Sequence, residues 1–256
     1  MGAARHEPEV RSFATMGEIA AATELLAEIW GEPGPMSPEM LRALGHAGGY
    51  AAGAWVGAEL VGVSAGFLGR HDGALLLHSH ISGVKPDRQG GSVGYALKQH
   101  QRQWAKQQGI STIEWTFDPL ARRNAYFNLA KLGAMIVGFE ADFYGSMGDA
   151  INVGDESDRA IVRWHLGATL WERVDGGDAV ILSPDDAGGP VVTPSDAPLL
   201  RAWIPEDHMK MREADPALAR RWRRALRDTF GVAVQGGYVA FGMTRDGWYT
   251  LGRSAP

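Results

Sequence analysis

A glycine-rich turn between a predicted strand and a predicted helix is the feature that most limits how this chain can fold. The segment GVKPDRQGGSVGYALKQHQRQWA, residues 83–105, begins apolar and extended and ends with helical periodicity. Turn-forming residues stand between these two parts: Gln89, Gly90, Gly91, Ser92 and Gly94. The first N–H groups of a helix have no intrahelical acceptor and carry partial positive charge, and glycine lets a ligand approach the backbone closely. This arrangement therefore predicts an anion site of the kind that holds phosphate or pyrophosphate.

The order of predicted elements around this turn indicates an α/β fold built on a mixed sheet. Over residues 1–168, hydrophobic periodicity predicts the order β-α-α-β-β-β-α-β-α-β-β, and the glycine turn follows the fourth strand. Consecutive hairpins mixed with βα units place helices on the faces of the sheet. From residue 169 the pattern changes, and the segment SPDDAGGPVVTPSDAP resembles a linker or a long surface loop, before a further helix and paired strands. We therefore predict two domains, residues 1–168 and a smaller α/β extension of residues 169–256.

Charge and composition restrict the class of protein. The chain has 256 residues, a formal net charge of −5 and no Cys. A nucleic-acid binder would present a basic surface, so a nucleic-acid partner is not expected. The absence of Cys excludes disulfides, thiolate metal sites and a Cys nucleophile. No apolar run reaches the roughly 18 residues of a membrane helix, and the first residues show no secretory signal. We therefore expect a cytoplasmic protein without a membrane partner.

Two predicted helices carry many basic residues on the face opposite their apolar residues. In the helix after the glycine turn, Val93 and Leu97 mark the apolar face, and Lys98 falls on the opposite face. In the segment ARRWRRALRD, Trp222 marks the apolar face and Arg223 falls among the arginines around it. The arginine face of this second segment is therefore interpreted as solvated.

The sequence of the turn excludes the common nucleotide-binding loops and has a closer counterpart. No Lys-Ser or Lys-Thr pair follows it, and its glycine spacing does not fit G-x-G-x-x-G. The turn resembles the coenzyme A turn of the GNAT acyltransferases, roughly Val-x-Pro-x-x-Arg/Gln-x-x-Gly-x-Gly/Ala after the fourth strand. Val84, Pro86, Gln89 and Gly94 fall on this pattern, and Ser92 replaces the middle glycine. A serine there could cap the helix and offer its hydroxyl to a phosphate.

The resemblance covers about residues 10–168 and includes a second motif, since TFDPLARRNAYFNLAKLGA is similar to the family's helix after the fifth strand. It implies a mostly antiparallel central sheet, and an acyl-CoA, acetyl-CoA by default, as co-substrate without a metal. It also implies that the pantetheine arm pairs with Ser82, Gly83 and Val84, that Asn124 hydrogen-bonds to that arm, and that the diphosphate is bound by Gln89, Gly90, Gly91, Ser92, Val93 and Gly94.

In such enzymes an amine attacks the thioester directly, which requires a general base, and the sequence offers several. His78 and His80 are two residues apart on the fourth strand and therefore share one face, and imidazole titrates near neutral pH. The other interpretations of the two histidines are a buried structural pair and half of a metal site. Glu114 and Asp118, on the next strand, are rival bases. Asp118, followed by Pro119, also fits the N-cap of the next helix.

The general acid is less evident from the sequence. Many family members carry a Tyr four residues before the glycine that ends the second-motif helix, and Leu129 occupies that position here. Tyr126 lies three residues earlier on nearly the same helical face and could substitute, although core packing explains it equally well. Tyr144 is another candidate. The departure at Leu129 also supports a different class of protein, a non-catalytic acyl-CoA sensor on the same fold.

The resemblance therefore implies an N-acyltransferase that moves an acyl group from acyl-CoA to the amine of a small molecule such as an amino acid. Acetyl is the family's default group, and succinyl is the alternative. A protein N-terminus or lysine stays open as the acceptor, and a homodimer is common in families of this type. The segment GVSAG matches the serine-hydrolase motif with Ser64 as nucleophile. That motif requires a strand, a sharp turn and a helix, whereas a hairpin is predicted here.

Overall fold

The computed structural model describes residues 7–145, 155–167 and 178–253. These residues form two compact units. The first unit contains residues 7–114, and the second contains the described residues from Trp115 onwards. The domain boundary predicted between residues 168 and 169 lies outside the described residues, and a division of the chain there stays a prediction.

The first unit consists of a sheet with helices. Its elements are β1 (Glu9–Ser12), α1 (Met16–Trp30), α2 (Pro38–His46), β2 (Tyr50–Val56), β3 (Glu59–His71), β4 (Ala74–Val84), a 3₁₀ turn (Pro86–Arg88), α3 (Val93–Gln107) and β5 (Thr112–Phe117), which continues into the second unit. The strand order is β1-β2-β3-β4-β5, and each pair of neighbours is antiparallel except β4 and β5, which are parallel. The predicted mixed, mostly antiparallel sheet is confirmed, and so is the predicted order of elements.

Local signals explain where the first helix begins and which face it buries. Thr15 Oγ1 accepts a hydrogen bond from the Glu18 N–H, and the Glu18 carboxylate accepts one from the Ala14 N–H. These two bonds satisfy donors that the start of a helix leaves free. Leu25 and Leu26 of α1 are buried, in one apolar cluster with residues of α2, β3 and β4. The helix therefore covers one face of the central hairpin of the first unit.

The β3–β4 hairpin contains an irregularity that matters for the site. Ala65 pairs with Ile81 and Phe67 pairs with His78, so two residues of β4, Ser79 and His80, stand opposite the single residue Gly66 of β3. This is a β-bulge, which bends its strand and leaves one residue without a ladder partner. A Cβ on Gly66 would lie 2.6 Å from the His78 carbonyl oxygen, so the close approach of the two strands at the bulge requires glycine.

The second unit continues with further strands and helices. Its elements are α4 (Arg122–Tyr126) with a π-helical continuation (Phe127–Lys131), β6 (Met135–Glu140), β7 (Arg159–His165), β8 (Asp178–Pro184), β9 (Pro190–Val192), β10 (Leu199–Trp203), α5 (His208–Ala214), α6 (Pro216–Leu226) with a π-helical segment (Arg227–Gly231), α7 (Val232–Gln235), β11 (Tyr238–Met243) and β12 (Trp248–Arg253). The strand order is β7-β6-β11-β12-β10-β8-β9. The helix and the strand pair predicted near the end of the chain are therefore present.

The segment predicted as a linker or long surface loop is instead part of this sheet. β9 pairs antiparallel with β8, through Val192 with Leu182 and Pro190 with Pro184. The Asp185 carboxylate closes the turn between them, accepting hydrogen bonds at 2.9 Å from the Ala187 N–H and at 2.7 Å from the Gly189 N–H. The Pro, Gly and Asp that suggested a linker serve here as hairpin-turn residues.

The predicted start of the second-motif helix is also corrected. The helix begins at Arg122, after Ala121, and not at Asp118 and Pro119. Asp118 accepts a hydrogen bond from the Leu120 N–H, which closes a turn before the helix. Within the described residues, no helix combines the length and the apolar character that crossing a membrane requires.

Candidate functional site

The glycine turn after β4 presents a row of backbone donors. Gly90 has φ +82°, a left-handed conformation that favours glycine, and it lets the chain reverse before α3. The Gln89 side-chain amide donates to the Val84 carbonyl at 3.1 Å and ties the turn to the end of β4. Gly91 closes a turn over Gln89 and Gly90, and no acceptor among the described residues engages the N–H groups of residues 92–94. These amides, at the start of a 15-residue helix, are free to bind an anion.

The surface beside these amides is open. A Cβ at Gly94 would meet Val84 Cγ2 at 3.8 Å and no other atom of the described residues within 4 Å, and a Cβ at Gly91 would meet the Arg88 carbonyl at 3.5 Å. Ser92 precedes α3 in a helical conformation, and its side chain makes no capping hydrogen bond. The predicted capping role of Ser92 is therefore wrong, because φ −84° and ψ −14° differ from the extended conformation of a capping residue.

Two cationic side chains, Lys85 and Arg88, lie just before the glycine turn, and both form ion pairs with the carboxylate of Glu59. Glu59, at the start of β3, lies 2.6 Å from Lys85 Nζ and 3.1 Å from the Arg88 guanidinium. The hydrogen bond from Lys85 lowers the pKa of Glu59 below its ordinary value, and Arg88 adds to this. The carboxylate therefore stays charged and fixes the backbone on both sides of Pro86.

The end of β4 has one unpaired edge within the first unit. On one side β4 pairs with β3 as far as Val84. On the other side its pairs with β5 are Leu77 with Ile113 and His78 with Glu114, and residues 7–114 show no pairing of Ser82, Gly83 or Val84 with that strand. Gly83 is buried, and a Cβ there would lie 2.7 Å from the Trp30 ring. An extended ligand chain could therefore follow the edge of β4 below the glycine turn.

The structure brings His78, His80 and Phe67 together beside the bulge. The Phe67 and His78 rings are stacked with centroids 4.8 Å apart, the Phe67 and His80 centroids are 5.7 Å apart, and those of the two histidines are 6.3 Å apart. Desolvation by the surrounding protein lowers the pKa of both imidazoles, and the neighbouring charges of His80 and Lys98 lower that of His78 further. Both rings are therefore mainly neutral at neutral pH and can accept a proton.

Glu114 lies directly opposite His78 in the parallel pair of β4 and β5. Its negative charge acts to raise the pKa of His78, against the desolvation that lowers it. Three of the predicted catalytic residues, His78, His80 and Glu114, thus lie together in the first unit.

The other predicted side chains belong to the second unit. Tyr126 is half-buried at the end of α4, and its hydroxyl accepts a hydrogen bond from Arg245 Nε at 3.1 Å. Leu129 is buried in the π-helical segment, where it fills apolar core. Asn124 is exposed on α4, and the Tyr144 hydroxyl lies 3.4 Å from Thr116 Oγ1. The Tyr126 phenol thus has a polar partner and is not simply a core residue.

Asp118 is held by an arginine and is not a free base. Arg223 donates to its two carboxylate oxygens at 2.6 and 2.7 Å, and to Asp155 at 2.6 Å. Burial alone would raise the pKa of Asp118, but the Arg223 guanidinium holds it below its ordinary value. Arg223 is only 2% exposed, so the prediction that it lies on a solvated face is wrong. Although Asp118, Asp155 and His208 are spaced like metal ligands, Arg223 already binds both carboxylates.

A buried polar network behind the bulge escaped the sequence analysis. Lys98 is buried on α3, where Nζ donates to Ser79 Oγ at 2.9 Å and to Gln101 Oε1 at 3.2 Å. The prediction that Lys98 lies on the face opposite the apolar residues is therefore wrong, because α3 turns this side chain towards a buried serine of β4. The serines at positions 64, 79 and 82, inside two apolar strands, were the signal that a polar partner lies above them.

Ser64 lacks the surroundings of a hydrolase nucleophile. It lies inside β3, is completely buried, and its hydroxyl lies 2.7 Å from that of Ser82. The structure therefore places no strand–turn–helix elbow at GVSAG.

Comparisons with known proteins support one fold. No family model matches the sequence, and no curated protein matches it. Among solved structures, the chain is similar to an acetyltransferase of the GNAT family from Streptococcus pneumoniae, with 12% identity and a TM-score of 0.51 over 61% of this chain and 98% of that one. It is also similar to the ribosomal-protein-alanine N-acetyltransferase from Brucella melitensis, with 16% identity and a TM-score of 0.50 over 61% and 99% of the two chains.

A third similar structure is a proposed acetyltransferase from Salmonella typhimurium with its cofactor acetyl-CoA, at 16% identity and a TM-score of 0.50 over 66% of this chain and 99% of that one. At these identities the similarity establishes the fold, which is that of the GNAT acetyltransferases. Each of these proteins is matched over nearly its whole length by about three fifths of this chain.

Proposed function

We propose that the protein is an acyl-CoA-dependent N-acyltransferase. The observation that carries this proposal is the group of N–H donors at residues 92–94, which have no acceptor among the described residues, at the point where β4 meets α3; within the first unit this end of β4 has an unpaired edge. A diphosphate with an extended amide-containing arm is complementary to both features, because the amides bind the anion and the strand edge pairs with the arm. Coenzyme A has this chemistry, and the similar Salmonella structure contains acetyl-CoA.

In this proposal the cofactor contacts are those implied by the family resemblance. The diphosphate accepts hydrogen bonds from backbone amides at the turn, and the pantetheine arm pairs along the end of β4. Asn124 donates to the same arm from α4. The residues assigned to the cofactor are Ser82, Gly83, Val84, Gln89, Gly90, Gly91, Ser92, Val93, Gly94 and Asn124.

The proposed chemistry is direct attack of an amine nitrogen on the thioester carbon. His80, with His78 and Glu114 beside it, takes the proton that the ammonium must lose. Its imidazole is suited to this because it is neutral near pH 7 and titrates close to that pH. The bulge leaves one residue of β4 without a partner on β3, and its N–H group is our candidate donor to the thioester carbonyl oxygen. Tyr126 is proposed to return a proton to the thiolate that leaves. Each such proton transfer contributes about 10²–10⁴ in rate.

The proposed acceptor is a small-molecule amine such as an amino acid, and the proposed acyl group is acetyl, with succinyl as the alternative. The similar Brucella protein is named for acetylation of an alanine of a ribosomal protein, so a protein N-terminus is the rival acceptor. An amine panel that contains amino acids, polyamines and short peptides distinguishes these acceptors.

The test of the proposal has two stages. Thermal unfolding in increasing coenzyme A should show stabilisation of about RT ln(1 + [L]/Kd), roughly 2.7 kcal/mol at 100 times Kd. Thiol release from acetyl-CoA and succinyl-CoA is then measured with the amine panel. Binding without turnover on any amine would favour the second candidate function, an acyl-CoA sensor, which the apolar residue at position 129 supports. Absence of coenzyme binding would refute both.

A further inference from the structure

A lysine is buried under the bulged strand of the first unit, and the proposed chemistry does not use it. Lys98 is 6% exposed, and its Nζ donates to Ser79 Oγ at 2.9 Å. Nζ also donates to Gln101 Oε1, and Gln101 Nε2 approaches Ser64 Oγ at 3.5 Å. One helix is thus linked by polar contacts to both strands of the β3–β4 hairpin.

These contacts reach the strand at the bulge itself. Ser79 is one of the two residues of β4 that oppose Gly66, and it stands between His78 and His80 in the chain. On the β3 side the two strands approach closely because residue 66 is glycine, and any Cβ there would clash with the His78 carbonyl oxygen. From the α3 side it is held by the hydrogen bond from Lys98. The bulge is thus packed closely against β3 and hydrogen-bonded to α3, which holds the backbone that carries the two histidines.

We propose that Lys98 is a positioning residue, which holds the bulge through Ser79 and thereby sets the positions of the His78 and His80 rings. This inference rests on the proposed acyl transfer for its functional meaning. Since Ser79 is covalently joined to both histidines, a shift of its side chain or backbone moves both rings relative to Phe67 and to the unpaired edge of β4. A misplacement of about 1 Å in a reacting group can cost up to about 10²-fold in rate.

The presence of a lysine at this buried position suggests a specific role, because an apolar residue would be buried there at a lower cost in free energy. Burying an amine is unfavourable unless its donors are satisfied, and a satisfied buried network specifies one arrangement of its members. Burial lowers the pKa of Lys98 to about 7. The charge of Lys98 also acts on His78, together with the charges of His80 on the same strand and Glu114 on β5. Lys98 is thus coupled to the histidines by geometry and by charge.

The experiment compares Lys98→Met with Lys106→Met, an exposed lysine on the same helix. Histidine rings are followed by NMR across a pH titration of the full chain, with His78→Gln and His80→Gln used to assign their resonances. In Lys98→Met we expect both resonances to move, and the titration midpoint of His78 to rise because a positive charge has been removed. If acyl transfer occurs, kcat should fall about tenfold or more while KM for acyl-CoA changes little. Lys106→Met should match the wild type in every measurement.

A second variant, Ser79→Ala, removes the hydrogen bond and keeps the lysine, and it decides the matter if Lys98→Met does not fold. It should shift both histidine resonances as well. The inference is overturned if either folded variant leaves the spectra and midpoints of His78 and His80 at their wild-type values. The NMR result does not depend on catalysis. A protein without transferase activity would refute the proposed function, but the histidine resonances would still show whether Lys98 sets the positions of the two rings.

Discussion

The Phe67 ring stacks on the His78 ring, with the two planes inclined by 25° and the centroids 4.8 Å apart. This contact orients one of the two histidines beside the bulge, and the same aromatic ring meets the second histidine, His80, at a tilt of 46°. The cluster is formed entirely by β3 and β4, whose pairing is long and regular outside the bulge. The strands, and not a loop, therefore fix the orientation of the proposed bases.

Removing the proposed base should slow the proposed acyl transfer and change its pH dependence. His80→Gln is expected to lower kcat/KM by about 10²–10⁴. Because desolvation lowers the pKa of both histidines below 6.5, wild-type activity should be maintained at pH 7 and fall only in more acidic solution, as the imidazoles become protonated. The measurement is the pH profile of kcat/KM, with His46→Gln, at the exposed last residue of α2, as the control. An unchanged acidic limb in both His78→Gln and His80→Gln would assign the base elsewhere.

Blocking the glycine turn should abolish coenzyme binding without unfolding the protein. A Trp at position 94 has room next to Val84, and it would fill the space beside the free amides. We expect Gly94→Trp to keep its cooperative unfolding and to lose the thermal shift with coenzyme A. Gly167→Trp, at an exposed glycine whose Cβ would contact none of the described residues within 4 Å, should keep the full shift. A normal shift in Gly94→Trp would contradict the assignment of the diphosphate site.

Because of the bulge, substitution by alanine should destabilise the protein more at Gly66 than at Gly69, although both glycines lie on β3. In Gly66→Ala the new methyl group would lie 2.6 Å from a backbone carbonyl oxygen, whereas in Gly69→Ala it would meet the flexible Leu76 side chain at 3.2 Å. We expect a loss of about 1–3 kcal/mol in the free energy of unfolding for Gly66→Ala and a smaller loss for Gly69→Ala. Urea denaturation of the two variants measures this, and equal losses would show that the strands can separate at the bulge.

The buried amine should give stability a specific pH dependence. The pKa of Lys98 falls from an ordinary 10.5 to about 7 in the folded protein. Between these values the unfolded chain binds more protons, so the contribution of Lys98 to stability rises with pH from about 7 to 10.5 and is least favourable below 7. The free energy of unfolding of the wild type, relative to Lys98→Met, should therefore increase by a few kcal/mol across this window, at about 1.4 kcal/mol per unit at most.

Urea denaturation at several pH values gives this difference, and tyrosines that ionise at high pH affect both chains equally. Lys106→Met, which removes an exposed amine, should leave the pH dependence of the wild type intact. A flat difference between the wild type and Lys98→Met would mean that Lys98 is hydrated in solution.

The ion cluster of the second unit should be sensitive to loss of its arginine. Arg223→Met would leave Asp118 and Asp155 near each other without their shared cation, and loss of one member of a buried pair costs about 3–5 kcal/mol. Because Arg223 holds the pKa of Asp118 low, the wild-type advantage should be present at neutral pH and disappear in acid as that carboxylate becomes protonated. Arg224→Met, an exposed neighbour, should change the unfolding free energy by less than about 0.5 kcal/mol.

The sequence predicted those parts of the fold whose signals are local. The order of elements before residue 168 follows from periodicity, and the glycine turn is recognisable because the special backbone at Gly90 lies in a short segment. The grouping of the two histidines also follows from their spacing along one strand. Glu114 lies beside them because β4 and β5 pair in parallel. The sequence of β5 alone does not indicate which strand it pairs with or in which register.

The features that the sequence did not reveal depend on partners far away in the chain. Lys98 and Arg223 are indistinguishable from solvated cations until the serines of β4 and the carboxylate of Asp118 are placed against them. The β8–β9 hairpin was hidden because the same Pro, Gly and Asp residues mark linkers and tight turns. The function of Asp118 as an ion-pair partner, and not as a helix cap, likewise requires Arg223, 105 positions later.

The carboxylate of Glu59 affects how a phosphorylated ligand would be recognised at the glycine turn. Since Lys85 and Arg88, on either side of Pro86, already pair with Glu59, their positive charges are compensated before a ligand binds. A phosphorylated ligand would therefore contact mainly the uncharged backbone N–H groups of the turn, which have fixed directions. Their attraction depends on the shape of the anion more than on its total charge. Association at this corner should accordingly be insensitive to ionic strength, and highly charged polyanions of the wrong shape should compete poorly.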